Sequence, residues 1–215
     1  LGHFFDDFGA GELERIVERA WGAGSRFDSA GVAPLKTVGD VYFMELWHGP
    51  TCAFKDVALQ FLPGAMDAAR RKLGIAEKTL ILVATSGDTG KAALEGFRDV
   101  PGTHCAVFYP EGGVSAVQRL QMETQRGDNV SVIAVKGNFD DAQTGVKKLF
   151  ADGATNAALK GRGWALSSAN SINWGRLAPQ IVYYVSAWCD LCNAGEIGPA
   201  EPVDFVVPTG NFGNI

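Results

Sequence analysis

From Pro34 onward, short apolar runs alternate with longer stretches of helical periodicity, and that alternation most restricts what the chain can fold into. The strand-like runs are Val41–Trp47, Leu80–Thr85, Cys105–Tyr109, Val130–Val135, Trp164–Ser167 and Phe205–Pro208. Helical patterns fall near 56–73, 89–98, 114–126, 139–151 and 173–191. Strands separated by helices predict an α/β fold, a mostly parallel sheet with helices on both faces. Ahead of this region, ELERIVERAW (residues 12–21) spaces Leu13, Ile16, Val17, Ala20 and Trp21 as one face of an amphipathic helix. Pro63-Gly64 is expected to kink or split the helix that contains it.

Composition removes several function classes. The net charge is -5, with both signs interspersed and no basic run, so no nucleic-acid surface is indicated. No apolar stretch is long enough to cross a bilayer, so no membrane role is expected. Four cysteines in 215 residues do not make a disulfide scaffold and suit a reducing, cytoplasmic compartment. Cys189 and Cys192 form a C-x-x-C on a helical run, and the three histidines are scattered, so no metal site is expected.

In parallel α/β sheets, ligands collect where strands end and helices begin. Here those junctions are TSGDTG, SANSIN and PTGNFGN, each polar and suited to cradling an anion. TSGDTG is not a nucleotide P-loop, because Thr85 stands where a glycine is needed and Ala92 where a hydroxyl is needed. PTGNFGN is not a G-x-G-x-x-G fingerprint either, which disfavours a dinucleotide. A fourth segment, HGPTCAFKD, places Lys55 in a small-residue turn at a helix start, behind Ala53 and Phe54. Desolvation there favours a neutral, nucleophilic amine. Read singly, each segment also has a plainer meaning: a solvated lysine, a helix cap by Ser86 or Asp88, a glycine turn, an exposed arginine.

Taken together, LWHGPTCAFKD, ATSGDTG, ANSINWGR and PTGNFGN resemble, in order and spacing, the threonine synthases of bacterial and fungal type. The resemblance implies a tryptophan-synthase-β-like, pyridoxal-phosphate-dependent fold, incomplete at the C-terminus, within a segment of a longer protein. It implies that residues 37–215 are the catalytic region, with 79–158 a smaller inner lobe and 1–36 the remnant of an N-terminal region. It further implies that Lys55 carries pyridoxal phosphate as a Schiff base. Phe54, Asp88, Gly210, Asn211, Phe212, Gly213 and Asn214 are the other expected cofactor contacts. Thr85, Ser86, Gly87 and Thr89 are expected at the substrate carboxylate, and Asn170, Ser171 and Arg176 at the substrate phosphate. The implied reaction converts O-phospho-L-homoserine and water to L-threonine and phosphate, with the pyridine-nitrogen contact lying beyond Ile215. Another pyridoxal-phosphate lyase, such as a threonine or serine dehydratase, and a non-catalytic cofactor-binding homologue are the alternatives. A carboxylate at Asp88 repels an anionic ligand, so Asp88 is expected to act through its backbone N–H or to turn its side chain toward a donor.

Overall fold

The computed structural model describes residues 1–210 and 212–215. The chain opens with helix α1, Ala10–Trp21, whose Ile16 and Ala20 are buried against Phe61, Ala65 and Ala68. A two-stranded antiparallel hairpin follows, β1 (Leu35–Val38) and β2 (Val41–Met44). The sequence reading recognised only the second strand, and drew it too long. The missed signal was Gly39-Asp40, a two-residue connection in which Gly39 has φ of 63°.

Next comes α2, Lys55–Lys72, an uninterrupted helix with Pro63 inside it. The expected break does not occur. Proline removes the N–H that would bond the Leu59 carbonyl, and α3 (Asp88–Phe97) packs its Gly96 against that oxygen. A Cβ on Gly96 would lie 2.1 Å from the Leu59 oxygen, so only glycine permits the approach.

Strands β3 (Lys78–Ala84), β4 (Thr103–Pro110), β5 (Val130–Val135) and β6 (Trp164–Ser168) form one parallel sheet in the order β5-β4-β3-β6. Alternate residues serve opposite faces. Ile81, Val83, Cys105 and Val107 pack with Leu59, Leu62, Ala92, Leu94 and Phe97 of α2 and α3. Leu82, Ala84 and Ala106 pack with Ala142 and Val146 of α5, Phe139–Ala151. Side chains as fully buried as Leu59, Phe61 and Ile81 each contribute about 1.5–3 kcal/mol by leaving water.

Helix α4, Ala116–Glu123, links β4 to β5 and begins in a capping box between Ser115 and Gln118. Helix α6, Gly153–Gly161, was not foreseen, although Asp152 caps it through Ala154 and Thr155. The expected helix over 173–191 is three pieces: α7 (Trp174–Leu177), a 3₁₀ turn at Ala178–Gln180, and α8 (Ile181–Asn193). Pro179 sits in the turn that divides them. Residues 205–208 are not a strand; they take no regular structure, and no strand among the described residues pairs with them. Cys189 and Cys192 are free thiols in the last turns of α8. Among the described residues, no helix is long and apolar enough to cross a membrane.

The chain lays down β3, β4 and β5 in one direction and then returns to place β6 on the other side of β3. The loops leaving β3 and β6 lie at the carboxyl ends of two neighbouring strands, the position of the ligand-binding crevice in sheets of this type.

Candidate active site

The turn that presents Lys55 is built by its neighbour. Asp56 is fully buried and accepts from the Thr51 N–H at 2.8 Å and the Thr51 hydroxyl at 2.7 Å. These bonds fold residues 51–56 back on themselves, with Cys52 in a left-handed conformation at φ 57°. A Cβ on Gly49 would strike the Asp56 side chain at 2.4 Å, so the HGP segment must pass there as glycine. His48 anchors the segment's other end, its two ring nitrogens lying 2.6 Å from Asp28 and 2.8 Å from Glu45.

Lys55 thus becomes the first residue of α2, with its side chain only 17% exposed. Its Nζ lies 3.4 Å from Asp88 Oδ2 and 4.2 Å from the centre of the Phe54 ring. Burial holds the amine's proton affinity below its ordinary value; Asp88 opposes that effect and Arg176 adds to it. Asp88 turns its carboxylate toward donors, Lys55 on one side and Gln118 on the other.

The TSGDTG loop is braced from within. Thr85 is buried, and its hydroxyl oxygen accepts from the Gly87 and Gly90 N–H groups at 3.0 and 2.9 Å. Gly87 has φ of 147°, while Ser86 is exposed and Thr89 half-buried. Among the described residues the hydroxyls of Ser86 and Thr89 make no internal hydrogen bond, whereas that of Thr85 is engaged in shaping the turn.

Across the crevice, Asn170 joins the carboxyl ends of β3 and β6. Its Nδ2 donates to the Ala84 carbonyl at 2.9 Å, and its Oδ1 accepts from the Ala84 N–H at 3.3 Å. Arg176, one turn into the following helix, is 3% exposed, and its Nε and Nη1 have no hydrogen-bond partner. Burial lowers its proton affinity to about 10, with Tyr183 and Asp56 opposing. The Tyr183 hydroxyl is buried and unpartnered as well.

The closing loop meets the same segment. A Cβ on Gly213 would lie 3.1 Å from Cβ of Ser171, Gln180 donates to the Gly213 carbonyl, and the Tyr184 hydroxyl donates to that of Asn214. Within the loop the Phe212 N–H is engaged by Thr209, and Phe212 has φ of 54°. Gly210 has open space around it, and Asn211 lies outside the described residues. Ser171, Gly213, Asn214, Trp174 and Tyr184 border a cleft of about 340 Å³. Lys55, Asp88 and Arg176 form the neighbouring cluster and do not line that cleft. The segment Asn170–Arg176 joins the two.

A sequence model of pyridoxal-phosphate dependent enzymes matches residues 28–215. The chain belongs to that family. Threonine synthase of Pseudomonas aeruginosa is 46% identical over 206 residues, covering 95% of this chain and 40% of the relative. Human threonine synthase-like 1 is 41% identical, covering 97% of this chain and 28% of the relative. The crystal structure of pyridoxal-phosphate-bound threonine synthase from Brucella melitensis superimposes with a TM-score of 0.80 at 43% identity, over 95% of this chain and 41% of that one. The chain therefore spans well under half the length of these relatives. The fold expected from the resemblance is the fold found.

The residues present fit the family's cofactor. A partly buried amine with lowered proton affinity suits an aldehyde-bearing ligand, and the open space around Gly210, with Gly213 bordering the cleft beside Ser171, suits that ligand's phosphate. Sequence reasoning missed three residues that shape the site, Thr51, Gln118 and Tyr183, and noted Asp56 only as the residue that follows Lys55. Gln118 was readable, since Ser115-x-x-Gln118 is a capping-box spacing. Tyr183 was hidden in an apolar helical run.

Proposed function

We propose that the protein is a pyridoxal-phosphate-dependent lyase acting as a threonine synthase on O-phospho-L-homoserine. The observation that carries this reading is Arg176: a buried cation with two unpartnered nitrogens, close enough to Lys55 to lower its proton affinity. Such a charge is costly to bury unless an anionic ligand completes it. A dehydratase acting on an unphosphorylated amino acid has no need of a second anion site.

In this reading Lys55 holds the cofactor's carbonyl end, the loop from Gly210 to Asn214 its phosphate, and Asp88 and Phe54 flank the lysine. When bound, pyridoxal phosphate supplies an electrophilic carbon and a conjugated ring that delocalises negative charge from the substrate. The Lys55 amine, its proton affinity lowered by burial, moves protons at the α, β and γ carbons. Arg176 neutralises the phosphate as the Cγ–O bond breaks and the electron pair leaves with oxygen. Over the whole reaction the β carbon loses one proton and gains the hydroxyl of water. The γ carbon gains one proton, and water's remaining proton goes to phosphate. Ser86, Gly87 and Thr89 bind the substrate carboxylate on the open side of the loop that Thr85 shapes. In this reading Ser171 assists Arg176 in phosphate binding, while Asn170 fixes the crevice between β3 and β6.

The test uses the intact purified protein. Borohydride treatment should attach the cofactor irreversibly to Lys55, read by peptide mass spectrometry. Incubation with O-phospho-L-homoserine should yield threonine and phosphate in equal amounts, with no keto acid from serine or threonine. Keto-acid formation without phosphate release would instead establish a dehydratase, and borohydride labelling with turnover of neither kind of substrate would establish a non-catalytic cofactor-binding homologue.

A further inference from the structure

The carboxylate facing Lys55 is itself gripped from its far side. Gln118, near the start of α4, donates Nε2 to Asp88 Oδ1 at 2.7 Å, while Asp88 Oδ2 lies 3.4 Å from Lys55 Nζ. The other end of the same carboxamide is committed. Gln118 Oε1 accepts from the Ser115 N–H at 3.2 Å, and the Ser115 hydroxyl accepts from the Gln118 N–H at 3.2 Å. With its oxygen pinned to the helix start, the amide can aim its nitrogen in only one direction. Gly87 makes the approach possible, since a Cβ there would sit 2.4 Å from the Gln118 amide carbon. Three elements therefore converge: the start of α4, the loop before α3, and the start of α2.

We propose that Gln118 is a positioning residue for the chemistry at Lys55, locking Asp88 so that one carboxylate oxygen stays on the lysine nitrogen. The inference rests on the reading of Lys55 as the cofactor lysine and deepens it. Asp88 has a side chain 46% exposed, and an ion pair to so exposed a partner is weak because its side chain is free to wander. A hydrogen bond from an amide that cannot rotate removes that freedom. Water can solvate Asp88 equally well but cannot aim it.

The groups that set the charge on Lys55 can be named in full. Burial and Arg176 of α7 favour the neutral amine, whereas Asp88 of α3 and Asp56 of α2 favour the ammonium, and the Phe54 ring lies against the nitrogen. Loosening Asp88 alone therefore tips the balance toward the neutral amine.

The measurement is competitive acetylation of Lys55 across pH, quantified by peptide mass spectrometry, on the intact protein freed of cofactor. In Gln118→Leu the neutral fraction of Lys55 at a fixed pH should rise about twofold to fivefold, the range for a half-exposed ion pair. Gln118→Glu keeps an acceptor for the Ser115 N–H but sets a second carboxylate beside Asp88. There the neutral fraction should fall below that of the unsubstituted protein. Ser115→Ala loosens the helix start yet leaves Gln118 Nε2 in place, and Lys55 should titrate unchanged. The proposal is overturned if Gln118→Leu titrates like the parent, if both Gln118 variants shift in one direction, or if Ser115→Ala reproduces the Gln118→Leu shift. If Gln118→Leu folds poorly, the glutamate variant decides alone. The wider functional reading fails separately, by absence of borohydride labelling at Lys55 in the unsubstituted protein.

Discussion

Replacing Arg176 with methionine should make the cofactor-free protein more stable and the enzyme inactive on its phosphorylated substrate. The side chain is 3% exposed, and two of its nitrogens are buried without partners. Its proton affinity falls to about 10 from an ordinary value above 12, chiefly through burial. At about 1.4 kcal/mol per pH unit, that fall corresponds to roughly 3 kcal/mol of penalty carried by the charged side chain. The sign follows from linkage. A cation whose folded proton affinity is depressed destabilises the fold wherever it is protonated, which for Arg176 includes all of the neutral range. Methionine matches the arginine stem, stays apolar and fills most of the space. The gain should be about 1–3 kcal/mol after some loss of packing, or a rise of about 2–10 °C in melting temperature for a domain of this size. Thermal melts of the intact cofactor-free protein, with and without inorganic phosphate, provide the assay. Phosphate should stabilise the unsubstituted protein more than Arg176→Met, which keeps only the cradle at Gly210–Asn214. A methionine variant that melts lower than the parent would refute the argument, because Arg176 would then be a satisfied structural residue.

Gly96→Ala should cost about 1–3 kcal/mol, since its Cβ meets the Leu59 carbonyl at 2.1 Å and neither helix can yield; the midpoint of a urea melt reads it. Asn170→Ala should leave both backbone groups of Ala84 without that side chain and cost about 1–3 kcal/mol, with turnover falling more than stability if the crevice opens. His48, raised above its ordinary proton affinity by Glu45 and Asp28, contributes stability that is full below about pH 6.5 and is lost as pH rises through its raised folded value. The pH dependence of the urea midpoint should therefore flatten in His48→Gln. Cys105, buried in the sheet with its thiol pushed up to about 12, should resist alkylation until the protein unfolds, whereas exposed Cys52 should react first.

The parallel sheet and most helices were legible because each segment carries its own signal: a short, β-branched apolar run at Val130–Val135, a period near 3.6 for residues 139–151. Helix α6 escaped because its glycine-flanked, short pattern competes with the loop signals around it, and only Asp152 marks its start. The continuity of α2 through Pro63 was not legible either, since the glycine that meets the bared carbonyl is 33 residues farther along. The segment at 205–208 has the apolar composition of a strand, but composition does not supply a neighbour to pair with. At the site, Lys55, the TSGDTG loop and Arg176 could be read because spacing and residue type coincide at strand ends. The division of labour could not. That Thr85 and Asn170 direct their polar atoms at backbone, and that Gln118 reaches Asp88 from another helix, are facts of tertiary approach with no local signature.

Lys55, Asp88 and Trp174 share one position in their respective elements: each is the first residue of a helix. The aligned peptide dipoles of α2 and α3 thus begin at the 3.4 Å contact between Lys55 and Asp88, each presenting its partial positive pole there. That part of the local field is made of main chain and survives any side-chain replacement. Variants that strip the site of its charged groups should bind anions less tightly, yet the pocket will not turn into one that welcomes cations.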